Sequence, residues 1–260
     1  MAYRIPIDAN LIGYWGFDEA LETDSAIDES GNALHLTVSN SPDVQSGRVG
    51  NARSFDGATS FALLSHALLR ITGDLTLITW VKMASTNGTG STLRTIVSAG
   101  PPGDASALLY GLHVDSSGRL VYKHDSPSGV VVVRTAAGVI RTGQFYNIVL
   151  RRVDAGGGTQ DVEFFVDNTA RAVADVTVNG SPSALPIPAP TANAAAEFAV
   201  GRSRKEADSA FWDGLVDEVS VHDMARTYQP YIRSTYFSTT ASNTTGRLTS
   251  SNSIKNISSY

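Results

Sequence analysis

Carboxylates are the side chains best placed to do chemistry in this chain. Asp18-Glu19 lies near one end and Asp217-Glu218 near the other, and Asp28 and Asn32 sit in a short polar stretch after the first pair. Oxygen-rich sets of this kind, joined by backbone carbonyls, are what calcium takes. The same residue types have a plainer use, because Asp and Asn in loops bond their own backbone. The five histidines are His35, His66, His113, His124 and His222. None has a partner at metal-ligand spacing and the chain has no cysteine, so no zinc site is expected. His124-Asp125 and His222-Asp223 are adjacent pairs, but neighbours on a strand face opposite ways, so all five read as surface histidines. There is no Gly-x-Ser-x-Gly elbow and no glycine-rich phosphate loop.

The elements that must position these groups are strands. No long stretch repeats apolar residues at helical spacing, whereas short β-branched and aromatic runs recur between Gly, Asn, Asp, Ser and Pro. Strands are expected near 11–17, 32–39, 52–56, 60–64, 74–83, 92–99, 108–114, 118–123, 129–135, 145–153, 160–167, 170–178, 195–201 and 214–222. Asp115-Ser116-Ser117-Gly118 and Asp154-Ala155-Gly156-Gly157-Gly158 read as hairpin turns, with glycine at positive φ. The four prolines of 181–193 (Pro182, Pro186, Pro188 and Pro190) suggest an extended connection. A chain of 260 residues is long enough for one large β domain. The net charge of −5 gives nucleic-acid binding no support, and no run is long and apolar enough to span a membrane. The sequence from Met1 to Asp8 lacks the apolar run of a secretory signal, so an unexported protein is expected and the sequons at Asn87, Asn179, Asn243 and Asn256 carry no weight.

Several segments in order resemble one family. They are Gly13-Tyr14-Trp15-Gly16-Phe17-Asp18-Glu19, then Asp28-Glu29-Ser30-Gly31-Asn32, Arg48-Val49-Gly50-Asn51-Ala52 with Ser54-Phe55-Asp56-Gly57, and Leu75 to Lys82. Phe145 to Leu150, Phe164 to Asn168 and Phe198 to Arg202 follow, and Phe211 to Val221 closes the set. Together they resemble a laminin-G-like domain over roughly residues 10–227. The resemblance implies an all-β, concanavalin A-like jelly roll of two antiparallel sheets. Residues 1–9 are then a lead-in and 228–260 a C-terminal extended arm. Trp15, Phe17, Trp80 and Phe165 are expected in the core.

Domains of this family mostly bind, and a minority of fold relatives cleave glycans. Glucanases of the fold carry Glu-x-Asp-x-x-Glu on one strand, which points the carboxylates into one cleft. The nearest match here is Glu22-Thr23-Asp24-Ser25-Ala26-Ile27, which lacks the last acid, so the chain is expected not to be an enzyme. Relatives often hold a structural calcium. Asp18 and Asp217 are the expected ligands, with Glu19 and Glu218 beside them and Asp28 and Asn32 as a second candidate loop. No other cofactor is expected. Glycan binding would need aromatic platforms, for which Tyr110, Tyr122, Tyr146 and Trp212 are candidates that equally suit core or rim packing.

The last segment has a composition of its own. Tyr228, Tyr231, Tyr236 and Phe237 fall within eleven residues, and a Ser/Thr/Asn-rich stretch follows with Leu248, Ile254 and Ile257 spaced along it. Such a stretch does not fold alone, so these seven residues are expected to anchor an arm on other virion proteins or on further copies of the chain. The leading expectation is a bacteriophage virion subunit, as capsid decoration, head fibre or tail-associated protein. It would display a lectin-like jelly roll toward host surface glycans, without nucleic-acid or membrane contacts. The alternative is a free carbohydrate-binding or adhesion module, secreted or at a cell surface, and a glucanase-type glycosidase is a distant third.

Overall fold

The structure is a computed structural model, and it describes residues 8–19, 25–85, 93–103, 107–203 and 211–226. The chain runs β1 (Leu11–Trp15), β2 (Ser25–Ala26), β3 (Leu36–Ser39), β4 (Asp43–Ser46), β5 (Asn51–Asp56) and β6 (Phe61–Leu64). A 3-10 turn at Ala67–Leu69 leads to β7 (Leu75–Met83), β8 (Leu93–Gly100), β9 (Tyr110–Asp115), β10 (Leu120–Ser126) and β11 (Gly129–Thr135). Then come β12 (Phe145–Gly156), β13 (Thr159–Val166), β14 (Thr169–Arg171) and β15 (Val173–Val178). The last are β16 (Ser181–Pro182), β17 (Ile187–Pro188), β18 (Glu197–Val200) and β19 (Asp213–His222). Among the described residues no helix is long and apolar enough to cross a membrane.

These strands form two antiparallel sheets, the expected sandwich. The first is ordered β14-β13-β12-β7-β19-β5-β4, with β1 added on β19 and β17 on β13. The second runs β16-β15-β11-β10-β9-β8-β18-β6-β3-β2. Alternation sets the faces. Leu75, Leu77, Val81 and Met83 of β7 join the core, as do Tyr146, Ile148 and Leu150 of β12. Tyr110, Leu112 and Val114 of β9 and Leu120 and Tyr122 of β10 face them from the second sheet. Trp15 stacks on Phe198 across the sandwich at 5.1 Å and donates its indole N–H to Leu34 O at 2.8 Å.

The polyproline-like reading of 181–193 gives way to two short strands, β16 and β17, which seat Ile187 in the core. The strand β4 was not expected. Its residues alternate no apolar face, because it is an exposed edge strand held by pairing with β5 alone. Aspartate staples explain two of the sequence segments. The Asp56 carboxylate accepts from the amides of Ala58, Thr59 and Ser60 and from the hydroxyls of Thr59 and Ser60, at 2.6–2.9 Å. Burial works to raise its pKa, but these donors outweigh it and hold the group well below the usual carboxylate range. Asp28 does the same for the 28–34 loop, taking the amides of Tyr14, Ser30 and Leu34.

Candidate functional site

The two acidic ends of the sequence meet, because β1 and β19 are antiparallel neighbours with Trp15 opposite Val219. A β-bulge in β19 then brings two adjacent acids to one side. Val216, Val219 and Val221 all point into the core, so one extra residue separates the first two, and Glu218 takes a left-handed φ of 53°. Asp217 and Glu218 therefore both turn to the outer face of the first sheet. Thr79, opposite the bulge, donates its hydroxyl to Asp217 O at 3.1 Å.

The segment 47–51 folds over these acids as a latch. Asp217 Oδ2 accepts the amides of Arg48 (2.7 Å) and Val49 (3.0 Å), and Asp18 Oδ1 accepts that of Asn51 (2.7 Å). The close approach requires glycine at 50, where φ is 64° and a side chain would strike the Asp18 carboxylate. Glu218 Oε2 accepts the Tyr14 hydroxyl at 2.5 Å. Asp217 Oδ1 and Glu218 Oε1 are buried with no partner among the described residues. Burial, with Asp18 adding repulsion, pushes Asp217 up to about 7 against the lowering effect of the Val49, Arg48 and Glu218 amides. Glu218 is pushed up to about 8 by burial and by the charges of Asp217, Asp18 and Glu29, although the Tyr14 hydrogen bond works to lower it.

The sequence-predicted calcium ligands Asp18 and Asp217 thus lie in one cluster, and Glu218 joins them. Glu19 turns away, to the Arg53 guanidinium at 3.5 Å and the Ile27 amide at 2.7 Å. Around Gly16 a Cβ would lie 3.3 Å from Glu29 Oε1 and 3.7 Å from Asp18 Oδ2 and from Glu218 Oε1, so three carboxylate oxygens face one small gap. These are hard donors of the kind calcium takes. As they stand, no three His, Cys, Asp or Glu side chains among the described residues converge at metal-ligand spacing. Asp28 and Asn32 offer no such gap. The Asp28 oxygens are spent on loop donors, and Asn32 donates its side-chain amide to Leu11 O and Ile12 O.

Other expected residues move. Tyr110, Tyr122 and Trp212 are fully buried and Tyr146 nearly so, which removes all four as sugar platforms. His113, His124 and His222 are fully buried rather than on the surface. His113 shares a 2.8 Å hydrogen bond with the Thr95 hydroxyl, and His124 lies 2.8 Å from Pro188 O. Burial lowers all three, to about 3 for His113 and about 4 for the other two. The acids of 22–24 and the arm residues Tyr228, Tyr231, Tyr236, Phe237, Leu248, Ile254 and Ile257 lie outside the described residues.

Trp80 and Phe165, expected in the core, are half-buried on the outer face of the first sheet. Both faces of β7 are apolar, Leu75, Leu77 and Val81 on one side and Ile78 and Trp80 on the other, so alternation alone does not say which is inside. Lys82, in phase with Trp80, is the signal that does. On this face the Arg48 guanidinium lies 5.1 Å from the Trp80 ring centre and the Lys82 ammonium 5.8 Å from that of Phe145. Phe145 faces Lys82 directly across the β12–β7 pair, and Asn147 faces Trp80. The two cation–aromatic pairs are therefore diagonal neighbours. A second cluster borders the other sheet, with Arg202 at 4.6 Å from Phe61 and 5.0 Å from Phe211.

No curated protein matches the chain. Among solved structures it resembles a Trypanosoma rangeli sialidase, with a TM-score of 0.56 and 17% identity over 85% of this chain and 31% of the sialidase. It also resembles the binding domain of Paraclostridial Mosquitocidal Protein 1, with a TM-score of 0.57 and 14% identity over 84% of this chain and 50% of that one. The chain thus spans about a third of the sialidase and half of the second structure. At these identities the likeness is one of fold. The family described as the concanavalin A-like lectin/glucanases superfamily, in its laminin-G group, matches residues 55–229. The chain belongs to that superfamily, with the two-sheet sandwich its sequence segments imply.

Proposed function

We propose that this protein is a glycan-binding module that acts by contact, not by catalysis. The observation that carries the reading is the pair of half-exposed rings, Trp80 and Phe145, on a sheet face that also offers Arg48 and Lys82. Aromatic rings stack on the apolar faces of sugars while neighbouring polar groups take the hydroxyls. The fold supports the same use. The sialidase that shares it was solved with a difluorinated sugar acid, and the second structure is named a binding domain. Three of the described acids are placed differently from a cleavage pair. Asp217 and Glu218 are buried beneath the 47–51 latch, and Asp28 is tied into its loop. Hydrolysis of laminarin by the purified protein would overturn the non-catalytic part.

The test is a glycan array probed with the native protein and with Trp80→Ala. Native protein is expected to retain a defined set of saccharides, and Trp80→Ala to bind them about tenfold more weakly, the worth of one aromatic contact. An array on which the native protein retains nothing would remove the reading.

The finer reading is a virion subunit attached through residues 228–260 and exposed to host glycans. It is supported by the composition of that segment, aromatic at its start and Ser/Thr/Asn-rich beyond. Deleting 228–260 is then expected to leave a folded sandwich that no longer joins particles. Particles that still take up the truncated chain would rule that attachment out.

A further inference from the structure

We propose that the outer face of the first sheet is selective for anionic saccharides, with Arg48 and Lys82 meeting a carboxylate or sulfate and Trp80 and Phe145 meeting the sugar ring. The inference rests on the glycan-binding reading and names the ligand class for the same face.

Three observations carry it. First, Trp80 and Phe145 are each accompanied by a cation, at 5.1 and 5.8 Å from the ring centres, so a sugar stacking beside either ring comes within reach of a fixed positive charge. Lys82 and Phe145 are cross-strand partners and Trp80 lies two residues from Lys82 on β7, which places both pairs within the footprint of one or two sugar units.

Second, Arg48 is held in place. Its own amide and that of Val49 are gripped by the buried Asp217 carboxylate, and Asn51 is gripped by Asp18 on both its amide and its side chain. The latch fixes the backbone from which the guanidinium reaches over Trp80, so less ordering is needed on binding than for a free surface arginine. Asp217 does not cancel the charge toward the ligand, because it lies fully buried and spends one oxygen on those two amides.

Third, the cations stand against the chain's overall charge. The protein carries a net −5, which repels polyanions at long range, so attraction for an anionic sugar must be local to such a pair. A guanidinium and an ammonium on one sheet face suit an oxyanion better than they suit neutral hydroxyls.

The experiment uses the full chain and measures binding to sialyllactose against lactose, to hyaluronan, and to dextran sulfate against dextran. The expected result is retention of a charged probe and not of its neutral parent, weakening as salt rises. Hyaluronan and sialyllactose report a carboxylate preference, and dextran sulfate a sulfate preference. Arg48→Gln and Lys82→Gln should each weaken that binding about tenfold, the loss of one charge-assisted contact, with unchanged melting temperature. Arg134→Gln, on the other sheet in an ion pair with Asp175, should leave it unchanged, which separates this face from general polyanion adhesion. Equal binding of charged and neutral probes, or binding that Arg48→Gln and Lys82→Gln leave intact, overturns the anionic preference while the glycan reading survives. Failure of every probe here, together with an empty array, overturns both.

Discussion

Replacing Arg152 by alanine is expected to unfold the sandwich or to leave it stable only in the cold, a loss on the order of 4 kcal/mol. Arg152 continues the inward phase of β12 after Ile148 and Leu150, so a guanidinium sits at the end of an apolar row and is fully buried. No carboxylate among the described residues meets it. Backbone carbonyls and one phenol do: Nε donates to Gly73 O at 2.9 Å, Nη2 to Ile71 O at 2.8 Å and Gly73 O at 2.7 Å, and Nη1 to Leu109 O at 3.1 Å and the Tyr122 hydroxyl at 3.0 Å. These partners lie on the 71–73 loop and on the second sheet, so one side chain ties both sheets to the segment entering β7. Truncation leaves the buried carbonyls of Ile71 and Leu109 and the Tyr122 phenol without this donor, as well as a cavity. Arg152→Met separates the two causes, because it refills most of the volume and none of the hydrogen bonds. If Arg152→Met melts within a few degrees of the native protein, packing and not the polar pin holds the sheets there. Arg152→Lys should fall between, since an ammonium keeps the charge but cannot span the same fork of acceptors.

Arg152 also marks what the sequence makes legible. Alternation places Leu120, Tyr122 and His124 on one face of β10 and Lys123 and Asp125 on the other, so the inward face is legible, yet reading His124 as a surface residue leaves its phase with Leu120 and Tyr122 unused. The same logic fails where both faces are apolar, as at Trp80, until Lys82 is used to set the phase. It fails again in β19, because alternation sends Asp217 and Glu218 to opposite faces and only the bulge brings them together. Nothing local announces that bulge, since Glu218 sits at positive φ without being glycine or asparagine. It persists through tertiary partners, the Thr79 hydroxyl and Tyr14 among them. The meeting of Asp18 with Asp217 is legible from the two ends of the family pattern. The latch that binds them is not, because Arg48 and Val49 contribute backbone amides, which carry no residue signature.

The carboxylate cluster predicts a stability curve with two limbs, measured as melting temperature against pH in chelator. On the acid side, His113, His124 and His222 have folded pKa values of about 3, 4 and 4 against an ordinary 6.5, so between those values the unfolded chain binds more protons. Stability is therefore lost as pH falls below about 6.5. On the alkaline side the sign reverses. Asp217 and Glu218 are raised to about 7 and about 8 from 3.8 and 4.5, so the folded protein keeps protons that the unfolded chain has released. Above about pH 6.5, where the histidines no longer differ between the two states, that advantage disappears as both acids ionise within a buried cluster, and stability should drop by on the order of 2 kcal/mol by pH 8. Glu218→Gln keeps an acceptor for the Tyr14 hydroxyl and removes one of the two charges, so it should flatten the alkaline limb and, by removing a group that opposes the histidines between about pH 4.5 and 6.5, steepen the acid limb. Calcium entering the gap beside Gly16 would exchange those protons for a cation, and its stabilising effect should then grow from pH 6 to pH 8. An alkaline limb that persists in Glu218→Gln would place the titrating group elsewhere. A melting temperature indifferent to calcium at pH 8 would remove Asp18 and Asp217 as ligands and leave the cluster as a proton-sharing latch beneath Arg48.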